Sequence, residues 1–246
     1  MVCGDCLEWM GEIDDESIDM ILCDLPYGVT ARNTWDVIIP FDELWAHYER
    51  IIKGNGAIVL TATEPFSAKL VNSNSKLFRY DLIWSKPMAT GFLNANRMPL
   101  RSHEQVLVFY KSLPVYNPQK TPGKPYKMRQ RDKQTPNYNK LRLKNPETNN
   151  ETGDRYPVSI VEFTHDNTKL HPTQKPLALF EYLIKTYTNE GDLVLDNCAG
   201  SGTTGIACVR TGRRFILIDS SPVYCGVFYD RLDRYQKEHV EGYGHV

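Results

Sequence analysis

Residues 193–205 read Leu-Val-Leu-Asp-Asn-Cys-Ala-Gly-Ser-Gly-Thr-Thr-Gly. A short apolar strand ends at Asp196, a glycine-rich turn follows, and a helix opens on threonines. A strand delivering a glycine turn onto a helix N-terminus is the ligand-binding unit of open α/β sheets. Gly200, Gly202 and Gly205 also match the dinucleotide fingerprint, with Asp219 at about the spacing expected for a ribose contact. Two features argue against a nicotinamide or flavin cofactor. Asp196 at the strand end would repel a pyrophosphate and welcome an ammonium group, and only one strand pattern follows Asp219, leaving no second nucleotide-binding half.

Working outward, the run Ile18–Cys23 reads as a buried strand that delivers Asp24-Leu25-Pro26-Tyr27 to its carboxyl end. A carboxylate and the carbonyl before a proline can accept the two hydrogens of an exocyclic amine, while a tyrosine ring can stack on the heterocycle. Pro26 restrains Leu25 towards extended backbone. This socket suits a nucleobase amine.

Together the two stretches resemble the DNA amino-methyltransferases that use S-adenosylmethionine. The tetrapeptide precedes the cofactor turn, the order of the permuted beta group. The resemblance implies an α/β, Rossmann-like methyltransferase fold: a mainly parallel sheet with helices on both faces, plus a basic insert. It makes Asp24, Leu25, Pro26 and Tyr27 the catalytic set. It assigns Asp196, Gly200 and Gly202 to the methionine part of the cofactor, Asp219 to its ribose, and Ala199 and Thr203 to the cofactor site as a whole. Asp5, in a Gly-Asp pair, falls near the adenine. His171-Pro-Thr-Gln-Lys-Pro176 resembles the element closing over the methionine end, with Lys175 pairing to its carboxylate. Leu25 stands where the family has proline, and Asp219 where it commonly has glutamate. An aspartate leading the tetrapeptide is similar to the adenine-N6 enzymes, with cytosine-N4 transfer the alternative. Double-stranded DNA is the implied substrate, so the base must leave the duplex at a cost of a few kcal/mol. A homodimer and a cognate restriction endonuclease are further partners the resemblance raises.

The chain has 246 residues and a formal net charge of −1, enough for one good core. That balance hides an asymmetry. Residues 113–150 carry nine Lys/Arg against Asp132 and Glu147, so the remainder is acidic. Six prolines and Tyr116, Tyr126 and Tyr138 interleave the basic residues. A polyanion-binding insert outside the sheet, mobile until it meets its partner, is expected over 113–165, between a catalytic half (1–112) and a cofactor half (166–246). Its Lys120, Lys124, Lys127, Arg129, Arg131 and Lys133 are candidate DNA contacts. Cys3 and Cys6 have zinc-like spacing but no matching second pair, so no metal is expected and the six cysteines read as reduced thiols. With no apolar stretch long enough to span a bilayer, the expected location is cytoplasmic.

Strands are expected at Ile18–Cys23, Ala57–Thr61, Tyr80–Trp84, Gln105–Tyr110, Leu193–Asp196 and Arg214–Asp219, and helices over Phe41–Ile52, from Pro176, and from Pro222 to about Lys237.

Overall fold

In the computed structural model, which describes residues 1–28, 36–129, 147–166 and 174–240, the run Ile18–Cys23 is a central strand with side chains buried on both faces. Elements in chain order are β1 (Val2–Cys3), α1 (Cys6–Gly11), β2 (Ile18–Cys23), α2 (Phe41–Ile51), β3 (Ile52–Ala62), α3 (Phe66–Ser73), β4 (Phe78–Thr90) and β5 (Arg101–Phe109). There follow β6 (Tyr126–Arg129), β7 (Glu147–Asn150), β8 (Ile160–Glu162), α4 (Leu177–Tyr187), β9 (Leu193–Asp196), α5 (Thr203–Thr211), β10 (Arg214–Asp219) and α6 (Pro222–Val240).

Eight strands form one sheet in the order β1-β10-β9-β2-β3-β5-β4-β8. Pairing is parallel from β1 through β3 and again between β4 and β8. Only β5 runs against its neighbours β3 and β4. The chain leaves β2 towards one edge, through α2 to β3, and leaves β9 towards the other, through α5 to β10. The switch point therefore lies between β2 and β9, where Met20 pairs with Val194 and Ile21 with Leu195. Ligands bind beyond the carboxyl ends of strands at such a point.

Alternation along the strands divides the core in two. Ile21, Cys23, Ile58 and Leu60 pack under Met10, Leu44, Tyr48, Phe66 and Leu70 from α1, α2 and α3. Met20, Leu22, Ala57 and Val59 face Leu179, Phe180, Leu183 and Ala207 from α4 and α5. Each such fully buried aliphatic side chain contributes about 1.5–3 kcal/mol relative to exposure. A third cluster, Ile206, Leu217 and Phe228, seats α6.

Residues 118–158 form a compact unit of their own. The basic segment is not without regular structure: β6 pairs antiparallel with β7, and Thr121 bridges Arg155. Turn chemistry, which the prolines obscure in the sequence, holds it. Asn150 Oδ1 accepts the Gly153 N–H at 2.7 Å, and Gly153 has φ +81°, where a side chain would run into the Gly123 backbone. Residues 113–117 and 159–165 belong instead to the main unit. The Asn117 side chain ties to Thr188 O, and Ile160–Glu162 joins the sheet as β8. Among the described residues, no helix is long and apolar enough to cross a membrane.

Candidate active site

Asp24 leaves the carboxyl end of β2 beside Thr61 of β3, because the parallel register pairs Cys23 with Leu60. Its Oδ1 accepts the Thr61 hydroxyl in a short hydrogen bond and the Tyr27 hydroxyl at 2.7 Å. Burial, then the Asp24 charge, pushes the Tyr27 phenol well above its ordinary pKa, so it stays a donor. Phe66 of α3 covers the Tyr27 ring, with centroids 5.0 Å apart and planes 29° apart. One carboxylate oxygen is thus fixed from two sides.

The other oxygen, Oδ2, accepts from Lys175 Nζ at 2.6 Å. That ammonium also lies 3.4 Å from Glu104 Oε2 and 5.6 Å from the Tyr27 ring centroid. Glu104 Oε1 in turn binds Lys86 Nζ at 2.7 Å. Asp24, Lys175, Glu104 and Lys86 so alternate in charge along a partly buried row. Burial alone would depress the Lys175 ammonium, but Asp24 and Glu104 outweigh it and raise the pKa. Burial likewise pushes the Glu104 carboxyl up, and Lys175 with Lys86 draws it below the usual glutamate value.

The glycine turn lies across the switch point. Asp196, 3% exposed, ends β9 and accepts the Cys198 N–H at 3.1 Å and, in a short bond, the Thr204 hydroxyl. Burial raises its pKa to about 7, against the pull of those donors. Among the described residues no cationic side chain pairs with it. Gly202 caps α5 at φ +74°. Ala199 N–H donates to Ile218 O, and Gly200 N–H to Asp219 Oδ2, at 3.0 and 2.7 Å. Asp219 Oδ1 accepts from Ser221 N at 2.9 Å, and Thr203 Oγ1 from Arg231 at 3.1 Å. Asp5 caps α1, accepting the Leu7 N–H at 2.8 Å, and Gly4 N–H reaches Asp219 O at 3.0 Å. The strand β1, hardly visible in two residues of sequence, is what brings Asp5 beside β10.

A single cavity of about 860 Å³ joins these groups, lined by Asp5, Asp24, Leu25, Pro26, Tyr27, Lys175, Asp196, Ala199, Gly200, Thr203 and Asp219 among others. Gly202 lies at its edge, next to lining residues Ser201 and Thr203. The Leu25 side chain is buried in the core at 3% exposure, which leaves its backbone for the cavity. Lys175, expected at the cofactor's methionine end, is paired in this structure to Asp24. Three groups outside the resemblance's assignments also line or support the cavity: Thr61, Glu104 and Lys86. Burial lifts the Cys23 thiol to about 12, so it supplies no thiolate near neutral pH.

Of the basic candidates, Lys120, Lys124 and Lys127 are exposed on the separate unit. Within it Lys120 lies 4.9 Å from the Tyr156 ring centroid and Arg155 4.7 Å from that of Tyr126. Arg129 ends β6. Arg131, Lys133 and the His171–Thr173 part of the closing element lie outside the described residues.

Comparison with known proteins gives this site its family. A family model described as DNA methylase, of the N6/N4 methyltransferase group, matches residues 18–230. The Type II methyltransferase M.HpaI of Haemophilus parainfluenzae is 28% identical over 95% of this chain and 74% of its own. M2.MboI of Moraxella bovis is 30% identical over 88% and 81%, and the DNA adenine methyltransferase YhdJ of Escherichia coli 28% over 94% and 81%. Among solved structures, M1.HpyAVI in complex with SAM superposes with TM-score 0.62 at 24% identity, covering 94% of this chain and 98% of that one. The cytosine-N4-specific PvuII methyltransferase gives 0.67 at 17%, covering 94% and 85%. Both show the Rossmann-like methyltransferase fold. With the strand-end carboxylate and the glycine turn facing one cavity across the switch point, and the family match running through both, this chain belongs to the N6/N4 DNA methylase family.

Proposed function

We propose that this DNA methyltransferase transfers a methyl group from S-adenosylmethionine to the N6 amine of an adenine flipped out of duplex DNA, with cytosine N4 the alternative that the relative named as an adenine enzyme does not favour. The observation that carries the reading is one cavity holding both the Asp24 socket and the glycine turn. Its volume lies in the range of small-molecule sites.

The residues present fit the cofactor. Asp196 is a buried carboxylate with a raised pKa and, among the described residues, no cation paired with it, the electrostatic condition that an amino acid ammonium relieves. Asp219 has both oxygens held by backbone N–H groups and retains lone pairs for a diol. When bound, the cofactor supplies an electrophilic methyl group on sulfonium sulfur. The chain's own residues supply the acceptor geometry. Asp24 Oδ2 and the Leu25 carbonyl each accept one N–H of the target amine. That favours a pyramidal nitrogen whose lone pair points along the transfer line; orientation and preorganised charge do the rest. Stacking on the Tyr27 ring offsets part of the cost of flipping, by roughly 1–3 kcal/mol.

Two surfaces support DNA as the substrate. The exposed lysines of the 118–158 unit, Lys120, Lys124 and Lys127, suit phosphates. From the end of β4 through the connection into the start of β5, residues 87–103 contain no acid. They present Phe92 and Leu93 at 76% and 84% exposure with Arg97 and Arg101, while Thr90 lines the cavity. A cytoplasmic setting in a bacterial or phage-infected cell, a homodimer, and a partner endonuclease belong to the same proposal. Methyl transfer from labelled S-adenosylmethionine to unmethylated DNA tests the reading. It must be lost in Asp24→Ala while cofactor binding survives; transfer that persists without Asp24 overturns it.

A further inference from the structure

In this structure Lys175 is bonded to the Asp24 oxygen that the target amine must use. Of the two Asp24 oxygens, Oδ1 is already held by Thr61 and Tyr27, so the amine has Oδ2. Lys175 Nζ sits on Oδ2 at 2.6 Å and stands within 5.6 Å of the Tyr27 ring centroid, where the base would stack. An ammonium there competes for that oxygen and draws off the negative charge that the amine's N–H needs. Engaging the base is easier once it shifts, and a lysine whose side chain is 7% exposed cannot move to water without leaving Asp24 and Glu104, 22% and 16% exposed, to share Lys86 as the remaining cation of the row.

Glu104 supplies the destination. Its Oε2 is buried, has no hydrogen-bond donor among the described residues, and lies 3.4 Å from Lys175 Nζ. Its Oε1 is anchored by Lys86 at 2.7 Å, with the Lys86 side chain only 5% exposed. A displacement of under one ångström turns the long Lys175–Glu104 pair into a full hydrogen bond. The row stays charge-balanced while the Lys175 hydrogen bond to Asp24 is loosened by a similar distance. We propose that Glu104, held by Lys86, is the positioning residue that receives Lys175 when the target amine takes Asp24. The inference rests on the reading of Asp24 as the acceptor of that amine.

The test is a double-mutant cycle on the full-length chain. It uses single-turnover transfer from labelled S-adenosylmethionine to unmethylated DNA, cofactor affinity by calorimetry, and thermal melts to confirm folding. Glu104→Gln is expected to slow transfer about tenfold, and to leave cofactor affinity within about twofold, because Lys175 stays clamped on Asp24. In a Lys175→Met background the same substitution is expected to change the rate by less than about twofold, since there is no ammonium left to receive. Glu104→Asp, which keeps the charge but withdraws it by a methylene, recovers part of the loss; where Glu104→Gln fails to fold, it takes that place in the cycle. Equal losses in both backgrounds, or a loss carried by cofactor affinity, overturn the role of Glu104 while leaving the methyltransferase reading intact. Absence of transfer by the unaltered protein overturns that reading, and this proposal with it.

Discussion

Gly200 donates its backbone N–H to Asp219 Oδ2 across 2.7 Å, so the residue expected to hold the ribose also closes the glycine turn. Asp219 Oδ1 simultaneously takes the Ser221 N–H that opens α6. One carboxylate thus couples the turn after β9 to the end of β10. Asp219→Ala strands two backbone donors, at about 1–2 kcal/mol, which is about 3–6 °C in Tm for a chain of this size. Cofactor affinity is expected to fall at least about tenfold with it. Asp219→Asn, which keeps one acceptor oxygen, is expected to fall between the two. Calorimetry on both variants checks the order.

Gly202 has no room for a side chain. Its φ is +74°, and a Cβ there would come within 2.1 Å of Phe228 Cδ2. Gly202→Ala combines left-handed strain with overpacking against α6, together about 3 kcal/mol. Urea denaturation is expected to show that loss as a lower midpoint at unchanged slope.

Asp196 links binding to pH. Its folded pKa of about 7 is raised above the ordinary carboxylate value by burial. The folded protein therefore holds a proton that the unfolded chain has released, and this group's contribution to stability falls as pH rises towards about 7. An ammonium ligand needs the ionised form, so cofactor affinity is expected to rise with pH up to about 7 and then level off. Below that pH, binding releases up to about one proton per cofactor. Calorimetry in buffers of different ionisation enthalpy measures the release, and Asp196→Asn is expected to abolish it.

Thr61 holds the acceptor carboxylate through one hydroxyl. Thr61→Val keeps the shape and removes the donor to Asp24 Oδ1. Methyl transfer is expected to slow about tenfold, with cofactor affinity unchanged, because only the orientation of Asp24 is loosened. A Thr61→Ser variant, which restores the hydroxyl, is expected to recover most of the rate. Parallel rate and binding measurements on the two variants decide it.

What the sequence shows and hides follows from range. β2 and β9 are legible because a strand buried on both faces must be mostly apolar, and the turn after β9 because only glycine fits at Gly202. Thr61, Glu104 and Lys86 are not legible. They reach the cavity through strand register on β3, β5 and β4, which links residues far apart in the chain. Lys175 is readable as part of a motif, yet its pairing with Asp24 spans 151 positions. β1 is two residues long, too short for any periodicity, and the β6–β7 ladder hides behind prolines that suggest an unstructured segment.

The central claim is tested most directly by incubating the protein with S-adenosylmethionine and unmethylated DNA of mixed sequence, digesting to nucleosides, and identifying the product by mass spectrometry. The account predicts N6-methyladenine, produced by the unaltered protein and absent with Asp24→Ala. N4-methylcytosine would contradict the base assignment while keeping the acceptor geometry, and unmodified DNA beside a protein that binds the cofactor would contradict the substrate itself.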